Sequence, residues 1–208
     1  MYWGSRQIDM KKGILYIHGK GGSAEEAEHY KSLFPDCDVI GFDYAAQFPG
    51  EAKEAFPAFL REISGRYASV EIIANSIGAL FAMYGFSGEK IGKAYLISPV
   101  VDMEKLIMDM MSWESVTEDM LKEKGEIKTA YGETLSWEYL CYVRENPVSW
   151  QIPTHILYGQ RDHLTSYETI SKFAEQTGAS LTVMESGEHW FHTEEQMQFL
   201  DRWILEHS

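Results

Sequence analysis

With 208 residues and a formal net charge of −14, the chain is long enough for one domain with an ample core, and nothing forces two. The acidity argues against nucleic acid as a partner, because phosphate binding draws on clustered Lys and Arg, and against adsorption to anionic membranes. Hydrophobic residues make up 45%, which fits an ordinary globular chain rather than a disordered or fibrous one. The two cysteines, Cys37 and Cys141, stand far apart and in no metal or redox spacing. Asp36 and Asp38 flank Cys37, which disfavours its thiolate. Neither cysteine fits a nucleophile or a needed disulfide, so a reducing interior is expected. The stretch Met1–Arg6 lacks the basic-then-apolar pattern of a secretory signal, and no apolar run is long enough to span a bilayer. Together these features predict a cytoplasmic, soluble protein without membrane insertion.

Along the chain, short apolar runs alternate with longer amphipathic ones. Tyr2–Ile8 is a candidate edge strand. Ile14–His18 predicts a buried strand, followed by a helix near Ala24–Leu33 and a strand at Asp38–Phe42. A helix near Glu51–Arg66 leads into the strand Val70–Ala74, the helix Ile77–Tyr84 and the strand Ala94–Ile97. Further on come the strand Thr154–Tyr158, the helix Tyr167–Thr177, the strand Leu181–Met184 and the helix Thr193–Glu206. Several strands are almost unbroken hydrophobic runs, as strands buried on both faces are. This alternation predicts the α/β class: a three-layer α/β/α sandwich around a mostly parallel sheet.

One segment interrupts the alternation. From Val101 to about Trp150, roughly fifty residues separate two predicted strands, more than an ordinary connection needs. The pattern there is helical, with Met103, Met108, Met110, Met111 and Met120 beside Trp113, Trp137, Tyr139, Tyr142 and Trp150. It is read as several helices lying over one edge of the sheet, a cap inserted at about 101–150 in a single domain spanning 1–208. Methionine fills irregular gaps in cores. The same residues fit a deformable apolar wall above a binding pocket equally well.

The residues Ala74-Asn75-Ser76-Ile77-Gly78-Ala79 sit where a strand meets a helix. A serine between small residues at such a corner is presented to solvent, and bulky neighbours would collide with the adjoining backbone. A serine hydroxyl is a poor nucleophile until a base takes its proton and a third group orients that base. Asp162 lies in the loop Gly159-Gln160-Arg161-Asp162-His163 after one strand. His189 lies in Glu185-Ser186-Gly187-Glu188-His189-Trp190 after the next. Both loops fall beyond C-terminal strand ends, where open α/β sheets assemble their sites.

The acid and the base each have a rival. Asp102 follows the Ala94–Ile97 strand and competes with Asp162. His192 competes with His189, and the two form a His-x-x-His pair that lacks a third ligand in convincing spacing. His18 is read as structural, His163 as loop surface. Gly21-Gly22 lacks the Gly-Lys-Ser/Thr of a phosphate loop. No metal and no organic cofactor is expected.

The order Ser76, Asp162, His189 is the one found in α/β hydrolases. The chain resembles a small member of that superfamily over almost its whole length. His18-Gly19-Lys20-Gly21-Gly22-Ser23, directly after a strand, is similar to the family's His-Gly oxyanion loop. The resemblance implies that the backbone N–H groups of Lys20 and Ile77 face the developing oxyanion, aided by the positive end of the helix that Ile77 begins. It also implies a cap where the 101–150 segment stands. Ala74 departs from the family's usual Gly-x-Ser-x-Gly, but it is small enough to keep the turn. The implied activity is a serine esterase acting on a small-molecule ester or acyl substrate. Thioester, small-amide or carbon–carbon bond hydrolysis on the same triad is the alternative. A non-catalytic ligand-binding protein is the alternative of another class.

Overall fold

A computed structural model of the chain describes residues 10–208, so the candidate strand at Tyr2–Ile8 lies outside the described residues. In chain order the strands are β1 (Lys12–Ile17), β2 (Cys37–Gly41), β3 (Ser69–Asn75), β4 (Ala94–Ile97), β5 (Glu126–Lys128), β6 (Thr134–Ser136), β7 (Thr154–Gly159) and β8 (Ser180–Met184). The α-helices are α1 (Pro49–Ser64), α2 (Ile77–Gly85), α3 (Met103–Trp113), α4 (Glu118–Lys124), α5 (Trp137–Glu145), α6 (Tyr167–Thr177) and α7 (Glu194–His207). Six strands form one parallel sheet in the order β2-β1-β3-β4-β7-β8.

Strand side chains alternate between two cores, as a period of two requires. Leu15, Ile17, Ile72, Ala74, Leu96 and Ile156 pack with residues of α1, α2 and α6 on one side. Ile14, Tyr16, Ile73, Tyr95, Ile97 and Leu157 pack with α7 and the segment after β1 on the other. The result is the three-layer α/β/α arrangement expected from the sequence. The register levels the strand ends: Ile17 lies opposite Ala74, Asn75 opposite Ile97, and Gly159 opposite Met184. The loops that follow these strands therefore open on a single rim.

Two elements differ from the sequence reading. The helix expected at Ala24–Leu33 is a 3-10 helix over Ala24–Ser32. Its buried residues, Ala27 and Tyr30, are three apart, and Leu33 packs on the same core. Three residues per turn align these positions on one face. The segment between β4 and β7 is not wholly helical: between α4 and α5 it forms the antiparallel hairpin β5–β6, with Ile127 opposite Leu135.

That segment is joined to the rest by apolar packing. Leu106, Ile107 and Met111 of α3, Leu121 of α4, Leu135 of β6, and Leu140 and Val143 of α5 belong to the same core as α1 and α2. Arg144 ties its helices together at the surface, donating to Glu104 at 2.7 Å and to both oxygens of Glu118 at 2.7 and 2.8 Å. Hydrogen bonding to that guanidinium holds the Glu118 carboxyl below its usual range. Burial, more than the neighbouring carboxylates, raises the pKa of the Cys37 thiol, with Lys12 opposing. No helix among the described residues is long and apolar enough to cross a membrane.

Candidate active site

Ser76 stands between β3 and α2 with φ 52° and ψ −119°. A left-handed φ at a non-glycine residue costs about 1–3 kcal/mol and persists only where surrounding structure over-determines it. Here the Ser76 N–H donates to the Ile97 carbonyl at 3.0 Å. Its own carbonyl accepts from Ala79 and Val100, each at 3.1 Å. The Ser76 side chain makes no capping bond to α2, so the hydroxyl is left for other partners. A similar strain recurs at the end of β4. There Ser98 has φ 42° and is fully buried, and its hydroxyl has no partner among the described residues.

The small residues around Ser76 have a measurable reason. A Cβ on Gly78 would stand 2.2 Å from the His18 carbonyl oxygen and 2.9 Å from that of Ile17. Ala74 is completely buried, which leaves no room for a larger side chain without displacing the strand. Gly78→Ala is therefore expected to lose about 1–3 kcal/mol of stability, because the β1 loop has to move to admit the methyl group. Urea denaturation measures this, and an unchanged midpoint would contradict the close approach.

Loops after β7 and β8 press together. A Cβ on Gly159 would meet the Glu188 carbonyl oxygen at 2.5 Å and that of Gly187 at 2.6 Å. Backbone bonds lock the contact: Gln160 N–H donates to Met184 and Arg161 N–H to Gly187, both at 2.9 Å. This juxtaposition brings together side chains that are 27 positions apart. His189 Nδ1 lies 2.7 Å from Asp162 Oδ2, and His189 Nε2 lies 2.7 Å from Ser76 Oγ. The other oxygen of Asp162 accepts the N–H groups of Leu164 at 2.7 Å and Thr165 at 3.1 Å. The Asp162 side chain is fully buried, that of His189 one-fifth exposed. A carboxylate facing Nδ1 fixes the tautomer with hydrogen on Nδ1, leaving Nε2 to accept from the serine.

The rivals stand elsewhere. Asp102 caps α3, accepting the Lys105 N–H at 2.9 Å. It lines a separate cavity of about 430 Å³ between α3, α5 and α6. His192 turns its Nδ1 to the Trp190 carbonyl at 2.8 Å and lies 3.7 Å from Glu188. Among the described residues no group of three His, Cys, Asp or Glu side chains is placed to hold a metal ion. The His18 ring stacks on Tyr44 at 4.3 Å, its Nδ1 meets the Gly19 carbonyl at 2.8 Å, and its own carbonyl accepts the Tyr44 hydroxyl at 2.7 Å. His18 thus anchors the loop that carries Lys20. His163 is exposed.

Among the described residues, the backbone N–H groups of Lys20 and Ile77 donate to no acceptor. Ile77 is the first residue of α2, so its N–H has no intrahelical partner. The Lys20 ammonium pairs with Glu133 in the turn of the β5–β6 hairpin, which joins this loop to the inserted segment. Ser76 and His189 open on a cleft of about 410 Å³ bordered by Lys20, Gly22, Glu26, Asn75, Leu164 and Trp190. None of these is a methionine. The methionines of the segment are instead buried, as Met103 and Met111 are, half-buried against the core, as Met110 is, or exposed, as Met108 and Met120 are. Glu26, Asn75, Leu164 and Trp190 were not singled out by the sequence. For Asn75 and Trp190 the signal was adjacency to Ser76 and His189.

No protein-family model matches the sequence, and no curated protein matches it. Solved structures do. Est1E from Butyrivibrio proteoclasticus aligns with a TM-score of 0.79 at 16% identity, over 97% of this chain and 88% of its own. Alpha/beta hydrolase domain-containing protein 10 from mouse aligns with a TM-score of 0.74 at 16% identity, over 93% and 88%. An esterase of Pyrococcus furiosus aligns with a TM-score of 0.61 at 20% identity, over 95% and 80%. The chain has the α/β-hydrolase fold.

Proposed function

We propose that the protein is a serine hydrolase that cleaves carboxylic esters through an acyl-enzyme. One observation carries the reading: the unbroken hydrogen-bonded relay from Ser76 through His189 to Asp162, opening on a cleft. Ser76 Oγ attacks the ester carbonyl while His189 Nε2 takes its proton. Asp162 holds the imidazole tautomer and stabilises the imidazolium that forms. The N–H groups of Lys20 and Ile77 receive the oxyanion, an interaction worth about 10^2–10^3-fold in rate per donor in such sites. The imidazolium then protonates the departing alcohol. Water, deprotonated by His189, attacks the acyl-enzyme and releases the acid.

The similar solved structures support the reading in kind, since Est1E has also been solved with ferulic acid bound and others are described as esterases. A fluorophosphonate probe is expected to label Ser76 and nothing else, and labelling is expected to abolish hydrolysis of short p-nitrophenyl esters. Peptide mapping by mass spectrometry locates the adduct. An unlabelled Ser76 in folded protein would turn the reading toward ligand binding without turnover.

A further inference from the structure

The cleft beside Ser76 carries two charged side chains, Lys20 and Glu26, and their charges are not equally available. The Lys20 ammonium is matched by Glu133. Glu26 has only a neutral partner, the Tyr16 hydroxyl, which donates to its Oε2. Its Oε1 accepts no hydrogen bond among the described residues. Burial first, and then neighbouring charges with Glu26 among them, holds the phenols of Tyr16, Tyr30 and Tyr44 above their usual range, so they stand beside the carboxylate as neutral groups. A phenol carries no positive charge in either protonation state.

Chain geometry brings this carboxylate to the cleft. Glu26 lies in the first turn of the 3-10 helix. A Cβ on Gly22 would stand 2.8 and 3.0 Å from its two oxygens. Glycine at this position gives the carboxylate room, which accounts for a residue that phosphate binding did not explain.

Trp190 borders the same cleft and is 68% exposed. His192 stacks on one face of the indole at 4.5 Å, which leaves the opposite face for a ligand. A second cavity of about 360 Å³ adjoins the cleft and shares Glu26, Asn75 and Trp190 with it. Of the imidazoles bordering it, His29 is matched by Asp201 at 2.6 Å, and His192 lies near Glu188.

We propose that Glu26 and Trp190 form a subsite for a positively charged substrate group, so that the enzyme prefers esters bearing an ammonium close to the scissile bond. The inference rests on the esterase reading above and names its substrate class. A carboxylate and an indole face are the two groups that attract an ammonium in a partly wet site. An anionic group there would meet an unmatched like charge.

The test pairs acetylcholine with its neutral isostere, 3,3-dimethylbutyl acetate. The purified protein is expected to favour the cationic ester by about tenfold or more in kcat/KM, equivalent to about 1.4 kcal/mol. Raising ionic strength is expected to narrow that ratio. Glu26→Gln should bring the ratio close to one, and Trp190→Ala should reduce it as well. Equal rates in the parent protein, or a ratio that survives Glu26→Gln, would overturn the subsite. If neither ester is hydrolysed, fluorophosphonate labelling and p-nitrophenyl ester hydrolysis still decide the esterase reading, and binding decides the subsite separately. Tetramethylammonium is then titrated into Ser76→Ala protein and followed by tryptophan fluorescence. Saturable binding that is weakened by Glu26→Gln supports the subsite, and absence of binding overturns it.

Discussion

Ser76→Ala is expected to lower kcat for a short p-nitrophenyl ester by on the order of 10^6-fold, the loss that follows removal of a triad serine from a hydrolase. The variant keeps His189, Asp162 and the free N–H groups of Lys20 and Ile77, but no atom remains to form the acyl bond. Its stability should change little. Alanine has the same Cβ as serine, so the strain at φ 52° is retained. The hydrogen bond from Oγ to His189 at 2.7 Å is lost, and a bond of that kind contributes about 0.5–1.5 kcal/mol net. Circular dichroism and denaturant titration establish the folded state, and steady-state hydrolysis measures the loss. Activity within tenfold of the parent, in folded protein, would remove Ser76 from the chemistry.

The sheet and the three loops were legible because each rests on local pattern. Short, largely apolar runs such as Val70–Ala74 and Thr154–Tyr158, alternating with helical stretches, point to buried parallel strands, and such strands must return to the same rim. That constraint is why Asp162 and His189 could be paired from sequence. The 3-10 form of Ala24–Ser32 was not legible in the same way. Its choice over an α-helix depends on lining Ala27, Tyr30 and Leu33 against a sheet whose position no local pattern encodes. The β5–β6 hairpin was hidden by brevity. Three residues per strand give a single inward side chain each, Ile127 and Leu135, too few for a period of two to emerge. Gly132, with φ 91°, was its one local signal.

The lining of the cleft was the least legible part. Glu26 lies just beyond the glycine-rich loop and far from Ser76 in sequence, and the fold sets its carboxylate against Gly22 at the edge of the cleft. Lys20 illustrates the same limit. Its backbone was read from the resemblance to the His-Gly loop, but its side-chain partner, Glu133, is 113 positions away. Long-range pairings of polar side chains leave no periodic trace in a sequence, whereas apolar burial does.

Asp162→Asn is expected to reduce kcat by about 10^3–10^4-fold, by inverting the histidine tautomer rather than by removing a contact. The outcome follows from the two sides of the carboxylate. Oδ1 accepts two backbone N–H groups, from Leu164 and Thr165, so an asparagine must place its carbonyl oxygen there. Its NH2 group then occupies the position of Oδ2, 2.7 Å from His189 Nδ1. A donor at that point requires Nδ1 to be unprotonated, which puts the hydrogen on Nε2 and points it at Ser76. The base can no longer take the serine proton. Asp102→Asn provides the contrast: its side chain accepts one N–H at the start of α3, and asparagine caps helices about as well as aspartate. That variant should retain turnover within about twofold and stability within a few tenths of a kcal/mol, the size of a neutral cap exchange. Side-by-side kcat values test the ranking, and nitrogen-15 shifts of the His189 ring report the tautomer directly. Full activity in Asp162→Asn with a collapse in Asp102→Asn would transfer the orienting role to Asp102.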